Sequence, residues 1–148
     1  MIALCGDGGI SMLLGDLATI AQYKLPVKII VFNNRSLGMV KLEMEVAGLP
    51  DNETDMQNPD FALAQAMGIK SYTVSRPDDV LPVLVEALNS PEAALLNVMT
   101  DPNALAMPPQ IEWNQMTGFA QAMYKMLLTG RTQEIIDTIN YKHLKEIL

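Results

Sequence analysis

A single cysteine, Cys5, among 148 residues leaves no partner for an internal disulfide. There is no CxxC, no paired histidine and no Cys/His cluster, so a zinc site has no donor set; the lone histidine, His143, reads as a solvent-facing side chain. A reduced, cytoplasmic setting is the expectation. Basic residues are scarce, 10 against 17 acidic ones, for a net charge of −7. With a pI near 4.5, the surface is not built to hold nucleic-acid phosphates. No apolar run approaches the ~18 residues that cross a bilayer, and the first residues lack the basic segment that opens a secretory signal. Internal repeats and low-complexity tracts are missing too. What the chain has is 49% apolar letters, enough to bury the core of one domain of ordinary size. Its acid is concentrated early: residues 1–100 carry 12 acidic and 6 basic side chains, residues 101–148 only 5 and 4.

Ile2-Ala3-Leu4-Cys5 reads as a buried strand stopped by a tight Gly6-Asp7-Gly8-Gly9 turn. From Ser11, placed as an N-cap, apolar residues recur at helical spacing until Lys24-Leu25-Pro26. Val27 to Phe32 is nearly continuous in apolar and β-branched letters, as a central parallel strand is, and ends at Asn33-Asn34. Ser36 to Val46 predicts a short helix, and residues 48–58 a solvated mobile loop. Asn58 as cap and Pro59 at the first position open another helix, which Gly68 closes. Strands over 71–74 and 94–99 flank a helix from Pro77 to about Asn89, in which Pro82 costs one backbone hydrogen bond. Strands alternating with helices predict an α/β fold, a doubly wound parallel sheet, because short parallel crossovers are right-handed helices packed back on the sheet. This domain is assigned to 1–104. Residues 105–148 are a Pro108-Pro109 linker and a helical C-terminal extension, with helices over 114–128 and 133–148 separated by Gly130.

In an open parallel sheet, ligands bind beyond the carboxyl ends of the strands. Two such ends are chemically loaded here, Gly6-Asp7-Gly8-Gly9 and Asn33-Asn34-Arg35-Ser36-Leu37-Gly38. Glycines let backbone N–H groups close on a phosphate without a Cβ in the way. A carboxylate beside them repels a phosphate unless a divalent cation lies between, and magnesium, which takes about six oxygens from carboxylates and phosphates, suits that place. Each motif alone has a plain reading as a turn. A dinucleotide fingerprint is the nearest competitor, but Ser11 stands where it needs a third Gly or Ala, and Asn33 where it needs an acid for the ribose.

The conjunction is more specific. Gly6-Asp7-Gly8, 24 intervening residues, then Asn33-Asn34 resembles the thiamine-diphosphate signature. With Asp16-Leu17-Ala18-Thr19 and Lys24-Leu25-Pro26-Val27-Lys28, the chain resembles the diphosphate-binding domain of the pyruvate oxidase and acetolactate synthase superfamily. The resemblance implies magnesium held by Asp7, Asn34 and the main-chain carbonyl of Ser36. It implies a diphosphate held by Gly6, Gly8, Gly9 and the backbone around Gly38 and Met39. Leu37-Gly38-Met39-Val40 looks like the synthases, whereas Glu43 falls where pyruvate oxidases carry an active-site glutamate. Met39 departs from the aromatic that oxidases often have. The tail, Leu105 to Ile111, Gly118-Phe119, Gly130-Arg131 and Glu134 to Asp137, is similar to bacterial pyruvate:quinone oxidoreductases.

That branch implies pyruvate as substrate, Glu43 as the catalytic carboxyl managing protons near it, and FAD passing electrons to a quinone. The FAD and pyrimidine-binding domains of such enzymes are absent, as are the first strand and helix of this domain, so the isolated chain is expected to bind cofactor weakly and not to turn over. Other domains and subunits of a homo-oligomer would be its partners. Alternatives are an acetolactate synthase-like carboligase fragment and a stand-alone nucleotide-binding module. Ile135, Ile136, Ile139, Leu144, Ile147 and Leu148 make 133–148 amphipathic, which fits either peripheral attachment to the inner face of the cell membrane or packing on another subunit. Asp51, Glu53 and Asp55 superficially suggest calcium, but Met56 replaces the required Gly and Ala62 the bidentate Glu.

Overall fold

A computed structural model describes residues 1–104 and 113–145. The expectations for Pro108-Pro109, for 105–111, for residues 146–148 and for the side chains of Ile139, His143 and Leu144 lie outside what is described. The chain packs as two compact units: Met1–Arg35 with Met56–Thr100, and Ser36–Asp55 with Asp101–Leu148.

The first unit holds the sheet. Strands β1 (Ile2–Gly6), β2 (Lys28–Asn33), β3 (Lys70–Val74) and β4 (Ala94–Met99) pair in parallel in the order β1-β2-β4-β3. Successive side chains of a strand point to opposite faces, and both faces of β2 and β4 are apolar. On one face Ile29, Val31 and Leu95 are buried under Ile10, Leu17, Phe61, Ala64 and Ile69. These come from α1 (Asp7–Ser11), α2 (Leu17–Gln22) and the segment around the one-turn helix α3 (Leu63–Ala66). On the other face Ala94, Leu96 and Val98 pack against Ala87, Val83 and Leu84 of α4 (Pro77–Asn89). Helices on both faces make the sheet doubly wound. On that second face α4 does not reach β1: Ile2 and Leu4 stay 57% and 67% exposed, and Phe32 47%.

Two helices differ from the sequence expectation. The first begins at Asp7, four residues before Ser11, which ends α1 instead of capping it. Gly6 is extended (ψ 158°) and carries no capping side chain, so the helix opens directly off the strand. It breaks after one turn, where a 3-10 turn containing Gly15 intervenes before α2. The helix expected from Pro59 shrinks to Leu63–Ala66, because the Asp60 carboxylate takes the Ala62 N–H in a local turn (2.9 Å) and Asn58 is engaged elsewhere. Gly68, at φ +83°, closes it as expected. Lys28 is buried at the start of β2, and its ammonium donates to the carbonyls of Ser90 (2.8 Å) and Glu92 just before β4.

The second unit is helical: α5 (Gly38–Val46), α6 (Trp113–Leu128) and α7 (Thr132–Lys145). Here α5 and α6 touch backbone to backbone: a Cβ on Gly118 would stand 1.8 Å from the Val46 carbonyl oxygen. Lys125 Nζ donates to the Gly48 carbonyl (2.7 Å), in the turn just past the end of α5. Ala122 and Met126 are buried. Gly130, at φ +82°, makes the turn into α7.

Candidate functional site

In the first unit the polar chemistry gathers where the strands end. The β1–β2 register, Gly6 opposite Phe32, sets Asp7 beside the Asn33-Asn34-Arg35 turn. Asp7 is 3% exposed. Its Oδ1 accepts the Gly8 N–H (3.0 Å); its Oδ2 accepts the Arg35 N–H (2.8 Å) and the Asn58 amide (2.6 Å). All three donors are neutral, and among the described residues no ion pair reaches this carboxylate. Arg35 turns its N–H inward by adopting φ +54°, a left-handed conformation that costs a non-glycine residue about 1–3 kcal/mol. The same N–H lies 3.2 Å from Asn33 Oδ1.

Asn33 ties this corner to the rest of the sheet. Its Oδ1 accepts the Asn58 amide (2.9 Å), and its Nδ2 donates to Asn97 Oδ1 on β4 (2.9 Å). A cleft of about 490 Å³ opens above these strand ends, lined by Asn33, Asn58, Thr73, Ser75 and Asn97 among others. Asn58 and Asn97 were not singled out as site residues by spacing, since their partners lie 25 to 64 positions away in the chain.

Gly6 and Gly9 have no internal reason to be glycine. A Cβ on either would meet nothing within 4 Å, and neither adopts a positive φ. What the missing side chains leave clear is an open approach to the main chain at the rim next to Asp7. Asn34 sits half-buried in the turn that contacts Asp7.

The other predicted residues belong to the second unit. Ser36 is buried and bridges to Asp55, and the Leu37 N–H donates to the Thr54 carbonyl (2.8 Å), which ties both ends of the 36–55 segment together. Gly38 begins α5; Met39 is 65% exposed and Glu43 also faces solvent. Lys41 does not pair with Glu43. It lies buried between Asp51 (3.8 Å) and Glu134 (3.7 Å). Arg131 completes the cluster, gripping Glu134 with two nitrogens (2.9 and 2.6 Å) and reaching Asp51 (2.7 Å). The loop from 48 is therefore anchored at Asp51, whose side chain is 6% exposed and bonded by Thr54 (3.0 Å), and is not the solvated segment its composition suggested.

Glu45, one turn from Lys41, is also buried, and burial lifts its pKa to about 7 against the opposing pull of Lys41. Burial also pushes Asp51 upward, but Lys41, the Thr54 hydroxyl and Arg131 outweigh it and hold Asp51 below its usual range. The Arg131 hydrogen bonds hold Glu134 low, and Arg131 is raised in return by Glu134 and Asp51.

Residues 1–98 match the family model described as thiamine pyrophosphate enzyme, C-terminal TPP binding domain. The chain is 39% identical over 135 residues to the "putative thiamine pyrophosphate-containing protein YdaP" of Bacillus subtilis (strain 168), covering 90% of this chain and 23% of that one. It is 40% identical over 113 residues to a "probable acetolactate synthase large subunit" of Methanocaldococcus jannaschii, with 74% and 19% covered. Over 122 residues it is 34% identical to the acetolactate synthase isozyme 3 large subunit of Escherichia coli (strain K12), with 78% and 21% covered. The chain thus spans about a fifth of the length of these curated relatives. With the family model matching 98 of its 148 residues, this chain belongs to the thiamine pyrophosphate enzymes, as their C-terminal TPP-binding domain.

Proposed function

We propose that this chain is the cofactor-binding part of a pyruvate-decarboxylating oxidase, with magnesium joining the cofactor's diphosphate to the protein. The observation that carries the magnesium reading is Asp7: a buried carboxylate met only by neutral N–H donors keeps its full negative charge available to a dication. Asp7 and the Asn34 amide oxygen would hold the ion, hard oxygens that suit magnesium. The diphosphate would lie against the main chain at Gly6, Gly8 and Gly9, where no Cβ intervenes. Bound thiamine diphosphate supplies a carbon nucleophile for the keto carbon of a 2-keto acid and a sink for the electron pair left when carbon dioxide departs.

The residues of this chain bind and orient. Asp7 would offset part of the charge of an ion held against the diphosphate, and the αL turn at Arg35 holds that carboxylate in place. Glu43, exposed on α5, is the carboxyl offered for proton transfer near the substrate. The same reading implies FAD and a quinone as electron acceptors in a longer protein. Attachment of 133–148 to a membrane surface belongs to the same reading; no helix among the described residues is long and apolar enough to cross a membrane. Flotation on anionic liposomes with and without 133–148 tests it.

A second reading, a carboligase of the acetolactate synthase kind, draws support from relatives 34–40% identical that carry that name. Both readings share decarboxylation and differ in whether the electron pair is oxidised or attacks a second keto acid. Calorimetry of the chain with thiamine diphosphate, with and without Mg²⁺, tests the shared part. Binding should require Mg²⁺ and vanish in Asp7→Ala; binding indifferent to both, or a preference for NAD or FAD, overturns it. Joined to the remainder of a full-length relative, the domain should yield acetate from pyruvate; acetolactate instead favours the second reading.

A further inference from the structure

We propose that Asn58 is a positioning residue that makes Asp7 a one-oxygen ligand: its side-chain amide and the Arg35 N–H occupy Oδ2, and Oδ1 is the oxygen offered to a divalent cation. The inference rests on the cation reading given above. Asn58 Nδ2 has two hydrogens and two acceptors, Asp7 Oδ2 at 2.6 Å and Asn33 Oδ1 at 2.9 Å. That fixes the amide's orientation, because the flipped form would set an oxygen against two oxygens. Asn33 is fixed in turn by its bond to Asn97. A relay of three amides therefore runs from β4 through β2 to the carboxylate.

The carboxylate itself is unevenly used. Oδ2 takes two hydrogen bonds and is filled; Oδ1 takes one, from Gly8, and keeps one acceptor position. A carboxylate free to rotate can present both oxygens to a cation, which suits Ca²⁺ with its six to eight ligands. Mg²⁺ demands near-octahedral geometry, which a carboxylate held at one oxygen serves better. Holding Oδ2 is thus a means of favouring Mg²⁺. Packing alone does not account for Asn58, because its own Oδ1 is buried without a hydrogen-bond partner, at a cost of about 1–3 kcal/mol.

The test uses the whole 148-residue chain with thiamine diphosphate, titrated separately with Mg²⁺ and Ca²⁺ and followed through the backbone amide resonances of Gly8 and Gly9. Asn58→Leu, near in volume and without donors, should weaken Mg²⁺ by about 10–100-fold, the usual cost of losing a partner that orients a ligand, and Ca²⁺ by clearly less. The preference for Mg²⁺ over Ca²⁺ therefore falls. Asn97→Val removes the far end of the relay and should lower that preference too, by less than Asn58→Leu does. The wild type gives a reading independent of any variant's folding. With Mg²⁺ bound, the Asn58 side-chain NH₂ signals should persist and stay protected while the Gly8 amide shifts. An unchanged Mg²⁺ affinity in folded Asn58→Leu, equal losses for both ions, or release of the Asn58 amide on Mg²⁺ binding overturns the inference and leaves the cation reading intact. No response at Gly8 and Gly9 in the wild type sinks that reading, and this inference with it.

Discussion

Asp7 in the first unit and Asp51 in the second are both buried, yet the chain satisfies them by opposite means. Asp7 receives three N–H groups that carry no formal charge. Asp51 receives Lys41, Arg131 and the Thr54 hydroxyl, and with Glu45 and Glu134 it forms a cluster of three acids against two bases. The second arrangement is internally compensated once Glu45 keeps its proton, so it has no electrostatic need of anything else. The first leaves a whole negative charge uncancelled in a buried place. An acid neutralised by its own chain serves to hold helices together, whereas one merely solvated by amides is set up for a charge from outside.

Breaking the compensated cluster should have the largest effect. Arg131→Leu leaves Asp51 and Glu134 without their closest cation, and should cost about 3 kcal/mol in denaturant unfolding, toward the low end for a buried pair because Arg131 is itself 30% exposed. Next comes pH. Glu45 binds its proton more tightly folded than unfolded, so its contribution is complete below about pH 4.5 and is lost as pH rises through about 7, a change of about 3 kcal/mol at most. Glu45→Gln should flatten that slope. Asp51 and Glu134 act in the other direction, giving stability above their unfolded values that is lost on acidification, and they should set the acid limb of the same curve.

A methyl group at Gly118 tests the helix contact without touching charge. Gly118→Ala should cost about 1–3 kcal/mol, more than a helix interior normally gains from that change, because α5 and α6 must separate. The smallest effect on folding, and the sharpest contrast, is expected at the amide-bound acid. Asp7→Asn weakens charge-assisted hydrogen bonds but also relieves an unpaired buried charge; these oppose each other, so stability without metal should shift by about 1 kcal/mol or less, while all Mg²⁺ dependence of cofactor binding is removed. Asp51→Asn should show the reverse pattern.

The sheet and the helix from Pro77 were readable in the sequence because their signals are local. Val27 to Phe32 is apolar on both faces but for Lys28, Pro77 fits the first position of a helix, and Ala94 to Met99 follows a turn. Gly6-Asp7-Gly8 with Asn33-Asn34 was readable because two short motifs at a set separation are rare together. The rest depends on partners distant in the chain. Asn58 before Pro59 looks like a cap, and only the fold brings Asp7, 51 positions away, within its reach. Ser11 lost the helix start to Asp7 because the extended Gly6 passes directly into the helix. Lys41 and Glu45 share a helix face by their spacing of four, a legible hint of pairing, but nothing local announces Arg131.

The buried Lys28 ammonium has a consequence for the opposite rim. It fastens the beginning of β2 to the carbonyls that precede β4, while Asn33 and Asn97 join the same two strands where they finish. A ribbon pinned at top and bottom cannot shear. One ammonium and one pair of amides thus bracket the ladder of main-chain bonds that runs between these two strands.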